Sequence, residues 1–204
     1  AVPKLKKPTE IANFFLTTLT QWQVKELLQP NGIICFTSFN KQHATQFIGE
    51  QVIQTLKKQG RELLIVDFVE NLAGDNFWTI NSIDPNSSNL TLCSTKMIYK
   101  TTEEIQQVLE DQSQYFDQTM VINSNFGEAF TLVLMAVADL NVVCIDTRLT
   151  PAKKIIEVDL IQQEYKLPNV HFVVNRVGYN PSFIFEIVRT FRKSFLAIKN
   201  KISK

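Results

Sequence analysis

The stretch Ile33-Ile34-Cys35-Phe36-Thr37-Ser38, running into Phe39-Asn40-Lys41-Gln42-His43-Ala44-Thr45-Gln46, carries the fold in its order of residue types. Four apolar residues in succession and then Thr-Ser read as a strand buried on both faces, which is the habit of a parallel sheet. The polar segment after it enters a helical pattern over 44–59, with Gly60 as its C-cap. Working outward, further strand candidates lie at 62–67, 89–93, 119–123, 141–146 and 170–175. Helical patterns near 102–115, 126–139 and 152–166 alternate with them. This alternation predicts an α/β domain, doubly wound, whose mainly parallel sheet is flanked by helices, with 33–38 near its middle. Residues 71–88 are dominated by Asn, Asp, Gly, Ser and Pro and read as a long surface connection.

A helix flanks the alternation on each side. Pro8-Thr9-Glu10 leads into Ile11, Phe14, Phe15 and Leu19, with Thr9 as the expected N-cap. At the other end Ile184, Val188, Phe191, Phe195 and Ile198 recur at helical spacing, faced by Arg189, Arg192, Lys193 and Lys199. The whole of 1–204 therefore reads as one domain. Its parts are a basic linker (1–8), a leading helix region (9–28), an α/β core (30–180) and a C-terminal basic amphipathic helix (182–204).

Composition excludes several classes. A chain of 204 residues, 45% hydrophobic and 20% charged, with six Gly and seven Pro, is neither disordered nor collagen-like. No apolar run reaches the roughly 18 residues of a membrane span, and no signal peptide opens it. A net charge of +1 argues against a dedicated nucleic-acid binder. Yet residues 1–7 and 189–204 hold nine of the 21 Lys/Arg and no acid, so the body is acidic between two basic ends. Those ends could meet an anionic membrane surface, or simply be solvated. Cys35, Cys93 and Cys144 each sit in an apolar, strand-like run and read as small buried residues of a reducing compartment. With only His43 and His171 to join them, no metal ligand set is expected.

In a parallel α/β domain, ligands bind beyond the carboxyl ends of the strands, which directs attention to 39–46. A phosphate-binding loop there needs glycines so that backbone N–H groups converge on phosphate. It also needs a Lys for the outer phosphates and a Ser/Thr for Mg²⁺. The segment has no glycine, and Lys41 is its only Lys or Arg.

The order of short motifs resembles a known family. Thr37-Ser38, Gly60-Arg61, Leu63-Leu64-Ile65-Val66-Asp67 and Phe116-Asp117 before strand 119–123 appear in sequence. Ala138-Asp139, Ile145-Asp146-Thr147-Arg148 and Val174-Asn175-Arg176-Val177 follow. Over about residues 9–180 this is similar to the cytoplasmic domain of the bacterial tyrosine kinases that accompany capsule and exopolysaccharide export, relatives of the ParA/MinD ATPases. The resemblance implies a P-loop NTPase-like fold. It also implies phosphate-loop Gly, Gly, Lys and Ser/Thr where this chain has Gln42, Ala44, Thr45 and Gln46. The family's second carboxylate after the second strand becomes Val69, although Asp67 keeps the first. Its metal-side Asp falls at Ile122 or Asn123. The arginines of the leading helix become Asn13 and Leu16, Glu10 being kept, and no tyrosine follows Tyr179.

Without the Lys and the metal carboxylates, nothing neutralises charge on a transferred phosphoryl group. The expectation is a catalytically inactive kinase-like domain of a polysaccharide chain-length determinant or export protein, with no catalytic residues, no metal and no cofactor. Its expected partners are polymerisation or export proteins, or itself, at the cytoplasmic face of the plasma membrane as part of a larger membrane protein. No nucleic acid is expected. The alternative is an ATP·Mg-dependent kinase or ATPase using Lys41 and Asp67, with Asn175 in the family's purine-ring position. A free-standing regulatory module is a third reading.

Overall fold

The computed structural model describes residues 8–39, 45–123, 126, 129–146 and 150–175. The described chain runs α1 (Pro8–Val24), β1 (Gly32–Ser38), α2 (Thr45–Lys58), β2 (Leu63–Val69), β3 (Trp78–Asp84), β4 (Ser87–Cys93) and α3 (Ser94–Met97). It continues with α4 (Thr102–Ser113), β5 (Gln118–Ile122), α5 (Ala129–Val137), β6 (Leu140–Asp146), α6 (Ala152–Tyr165) and β7 (Val170–Asn175). The strands form one seven-stranded sheet in the order β3-β4-β2-β5-β1-β6-β7. Every pairing is parallel except β3 with β4. The expected doubly wound sheet is therefore present, with β1 in its interior and every residue of β1 and β6 buried.

Local chemistry explains the element ends. Gly60 takes φ +76°, its N–H bonds to the Lys57 carbonyl and that of Arg61 to the Leu56 carbonyl, a Schellman stop for α2. Thr101 accepts from the Glu104 N–H while the Glu104 side chain accepts from the Thr101 N–H, a reciprocal cap for α4. Thr9 does not cap α1: the helix already includes Pro8, whose missing N–H costs nothing in a first turn.

The helices divide the core in two. On face one, α1 and α2 pack Phe15, Leu19, Trp22, Ile48, Val52 and Leu56 against Ile34, Phe36, Met120 and Val142. On face two, Ile105 and Leu109 of α4, Leu134 and Met135 of α5 and Val158 of α6 cover Ile33, Cys35, Val121 and Val143. Helix α2 lies close to β5 because Gly49 has no side chain. A Cβ there would fall within contact of the Ile122 side chain, at a separation no real pair adopts.

The segment 71–88 is not a long surface connection. It contains β3, joined to β4 through Pro85-Asn86, and Asp84 Oδ1 accepts from the Asn86 N–H at 2.9 Å. Asp-Pro-Asn is a turn signal, and β3, with Asn81, Ser82 and Ile83 exposed, is an edge strand that lacks the apolar run of the interior strands. Lys57 of α2 ties this hairpin down, reaching Asp84 Oδ2 at 2.7 Å and Ser87 Oγ at 2.8 Å. Lys57 foremost, with Ser87 and the Asn86 N–H, holds the Asp84 carboxyl down at about 2 against an ordinary 3.8. A lowered folded pKa stabilises above the ordinary value, and that contribution is lost as pH falls from 3.8 through about 2. Asp84→Asn should therefore flatten the acid limb of a stability–pH profile across this window. An unchanged acid limb in denaturant titrations would contradict the assignment.

Candidate functional site

The end of the sheet where a ligand belongs is built from the carboxyl termini of β1, β5 and β6. Thr37 and Ser38, which close β1, are fully buried. The Phe126 N–H donates to the Ser38 carbonyl at 2.8 Å, and the Asn123 N–H to the Phe36 carbonyl at 2.8 Å, so the segment after β5 is bonded over the end of β1. This brings Phe39 and Phe126 together edge to face, ring centroids 5.0 Å apart, both half-buried against the face-two core. The Lys154 ammonium stands 5.7 Å from the centre of the Phe39 ring and pairs with Glu157 at 2.8 Å. An aromatic pair thus sits at the mouth between β1 and β5.

The polar groups around that mouth are turned inward or engaged. Asn123, one of the two positions expected for a metal-side carboxylate, donates its amide to Thr131 Oγ1 at 2.8 Å. Asp146 at the end of β6 is fully buried, and its carbonyl accepts from the Thr150 N–H. Thr45 opens α2 and is only 1% exposed, its buried Oγ1 without a hydrogen-bond partner among the described residues. Gln46 is exposed and donates to Glu50 Oε1 at 2.8 Å, one turn along the same helix. Burial pushes the Cys35 and Cys144 thiols up to about 12, so neither is a nucleophile at neutral pH. Among the described residues no cluster of His, Cys, Asp and Glu could hold a metal ion.

Of the residues singled out in the sequence, Asp67 and Asn175 are not brought together. Lys41, Gln42 and Ala44 lie outside the described residues. Asp67 is exposed within β2, opposite Thr91 of β4, and its carboxylate accepts from Asn89 Nδ2 at 2.8 Å. The backbone of Asn175 ends β7 opposite Asp146. Strands β2 and β7 are separated by β5, β1 and β6, so Asp67 and Asn175 are about 19 Å apart across the sheet alone, at four strand spacings, and further apart along it. The Phe39–Phe126 pair escaped sequence reasoning. Its signal was an aromatic placed just beyond each of two strands.

No protein-family model matches the sequence, and no curated protein matches it either. Solved structures do match the fold. The kinase domain of VpsO superposes with a TM-score of 0.63 at 13% identity, over 83% of this chain and 96% of that one. The kinase domain of the Escherichia coli tyrosine kinase ETK gives 0.60 at 13% identity, over 83% and 78%. A ParA family ATPase from Chlorobium tepidum gives 0.58 at 12% identity, over 74% and 77%. The chain thus has the fold shared by bacterial tyrosine kinase domains and ParA-type ATPases. Among the described residues no helix is long and apolar enough to cross a membrane.

Proposed function

We propose that this chain is a catalytically inactive, kinase-like domain that works through protein contacts. In this reading it is the cytoplasmic-face domain of a polysaccharide chain-length determinant or export protein. It contacts polymerisation or export proteins, or further copies of itself, without ATP or Mg²⁺. The observation that carries the inactive reading is the mouth of the sheet. A triphosphate needs convergent N–H groups, a lysine and metal-holding oxygens beyond β1. The described residues there are instead a paired Phe39 and Phe126, an inward Thr45 and an Asn123 committed to Thr131. These groups do not fit a phosphate cradle. The link to export rests on the order of motifs from Thr37-Ser38 to Val174-Asn175-Arg176-Val177. Asn13 and Leu16, which stand where the kinase helix carries arginines, are exposed on α1 and cannot make arginine's charge-assisted contacts.

The enzymatic alternative has less support, because the Asp67 carboxylate is held by Asn89. Nucleotide titration decides between the two. Millimolar ATP·Mg should leave the melting temperature unchanged. Under the alternative, ATP·Mg at 100 times its Kd would add about 2.7 kcal/mol and raise the midpoint visibly.

A further inference from the structure

We propose that the outer edge of β3 pairs antiparallel with β3 of a second copy of this chain, joining the two sheets about a twofold axis at Ile80. The edge is open in its backbone. The Phe77 carbonyl accepts from the Cys93 N–H at 2.7 Å, and the register runs on as Trp78 with Leu92, Thr79 with Thr91 and Ile80 with Leu90. Antiparallel pairs alternate between bonded and non-bonded. Thr79 and Asn81 therefore bond to β4, whereas Trp78, Ile80 and Ser82 turn their N–H and C=O groups outward. Among the described residues none takes these groups up. Residues 80–83 are exposed, so solvent reaches the edge.

The side chains lack the guards of a solitary edge. Edge strands are blunted with lysine, proline or inward-pointing charge, and 78–83 holds no charged residue and no proline. The register shift of this hairpin falls between Ser82 and Asp84, beyond the stretch that would pair. Ile80 lies on the same face as its neighbour Leu90, which is face two, yet it is exposed.

A second copy fits this edge by register. With Ile80 opposite Ile80, Trp78 falls opposite Ser82 and Thr79 opposite Asn81. Every outward group then finds a partner, in about six main-chain hydrogen bonds. Any shifted register leaves one of the three residues unpaired. Ile80 meets Ile80 on the axis, Thr79 and Asn81 form a polar pair, and no like charges stand opposite each other. Asp84 stays with Lys57 beyond the paired stretch. The Lys100 ammonium stands 5.4 Å from the centre of the Phe77 ring, which puts the exposed Ile98-Tyr99 turn beside the start of β3. Pairing sets that turn next to the exposed Ile83 of the second copy. An isologous contact uses both edges at once, so assembly closes at a dimer. The pairing rests on the self-contact in the proposed function and names its surface, while nucleotide titration tests the inactive site separately.

Sedimentation of the full chain tests it, with Ile80→Lys and Ile80→Asp as variants at an exposed position. Wild type should pass from monomer to dimer between about 1 and about 200 µM, the range of a small interface. Either variant alone sets like charges opposite each other and should weaken the dimer about tenfold or more. An equimolar mixture of the two should restore it, because opposite charges then meet on the axis. A wild type that stays monomeric throughout would overturn the proposal. So would variants that dimerise like wild type, a mixture that fails to recover, or wild-type growth beyond the dimer. Should the variants unfold, hydrogen exchange of wild type decides. The amides of Trp78, Ile80 and Ser82 should exchange about tenfold faster after about a hundredfold dilution. Exchange that ignores concentration would equally overturn the pairing.

Discussion

Thr45→Lys is expected to destabilise the domain by about 3–5 kcal/mol, the cost of an uncompensated buried charge. A phosphate loop would put its lysine here, at the first residue of α2, and the ammonium would then be held by phosphate. In this chain Thr45 is 1% exposed, and its buried Oγ1 has no hydrogen-bond partner among the described residues. Four methylenes and an ammonium do not fit where a threonine is enclosed, and a lysine forced to stay has its pKa driven down. Guanidinium denaturation of the two chains measures the loss. A variant as stable as wild type that also gained ATP affinity would mean that the cradle survives, and would sink the inactive reading.

Phe36→Ala should cost about 3–5 kcal/mol, whereas Ile80→Ala should cost less than about 1 kcal/mol. Both residues lie in strands, so the contrast tests sheet order rather than composition. Phe36 is fully buried in β1, covered by α1 and α2, with the Trp22 ring 6.5 Å away. Removing its ring leaves a cavity that neighbours on two helices cannot collapse into. Ile80 is 38% exposed on the edge strand β3, where solvent replaces the lost side chain. Equal losses at the two positions would contradict the central place of β1.

The interior strands were legible because burial on both faces imposes an apolar run, as in Ile33–Phe36 and Val142–Ile145. The edge strand β3 was not. Half of it faces water, so its Asn81 and Ser82 meet no demand for apolar residues, and only Asp84-Pro85-Asn86 hinted at a hairpin. The candidate site divides in the same way. The missing glycines of 39–46 were readable one residue at a time. The Phe39–Phe126 contact joins positions 87 apart in the chain and depends on the register of β5 against β1. Asp67 and Asn175 stand out by motif order, which places residues at strand ends without saying which strands are neighbours.

Sequence alone therefore determined the α/β class, the parallel interior strands and the absence of a glycine-bearing phosphate loop, because each follows from residue type and local period. Tertiary structure decided the order β3-β4-β2-β5-β1-β6-β7 and the antiparallel edge. It also decided that Thr45 turns inward while Asp67 is spent on Asn89. These depend on which distant segments meet, and free energy from packing against a distant partner leaves no trace in the local pattern of either segment.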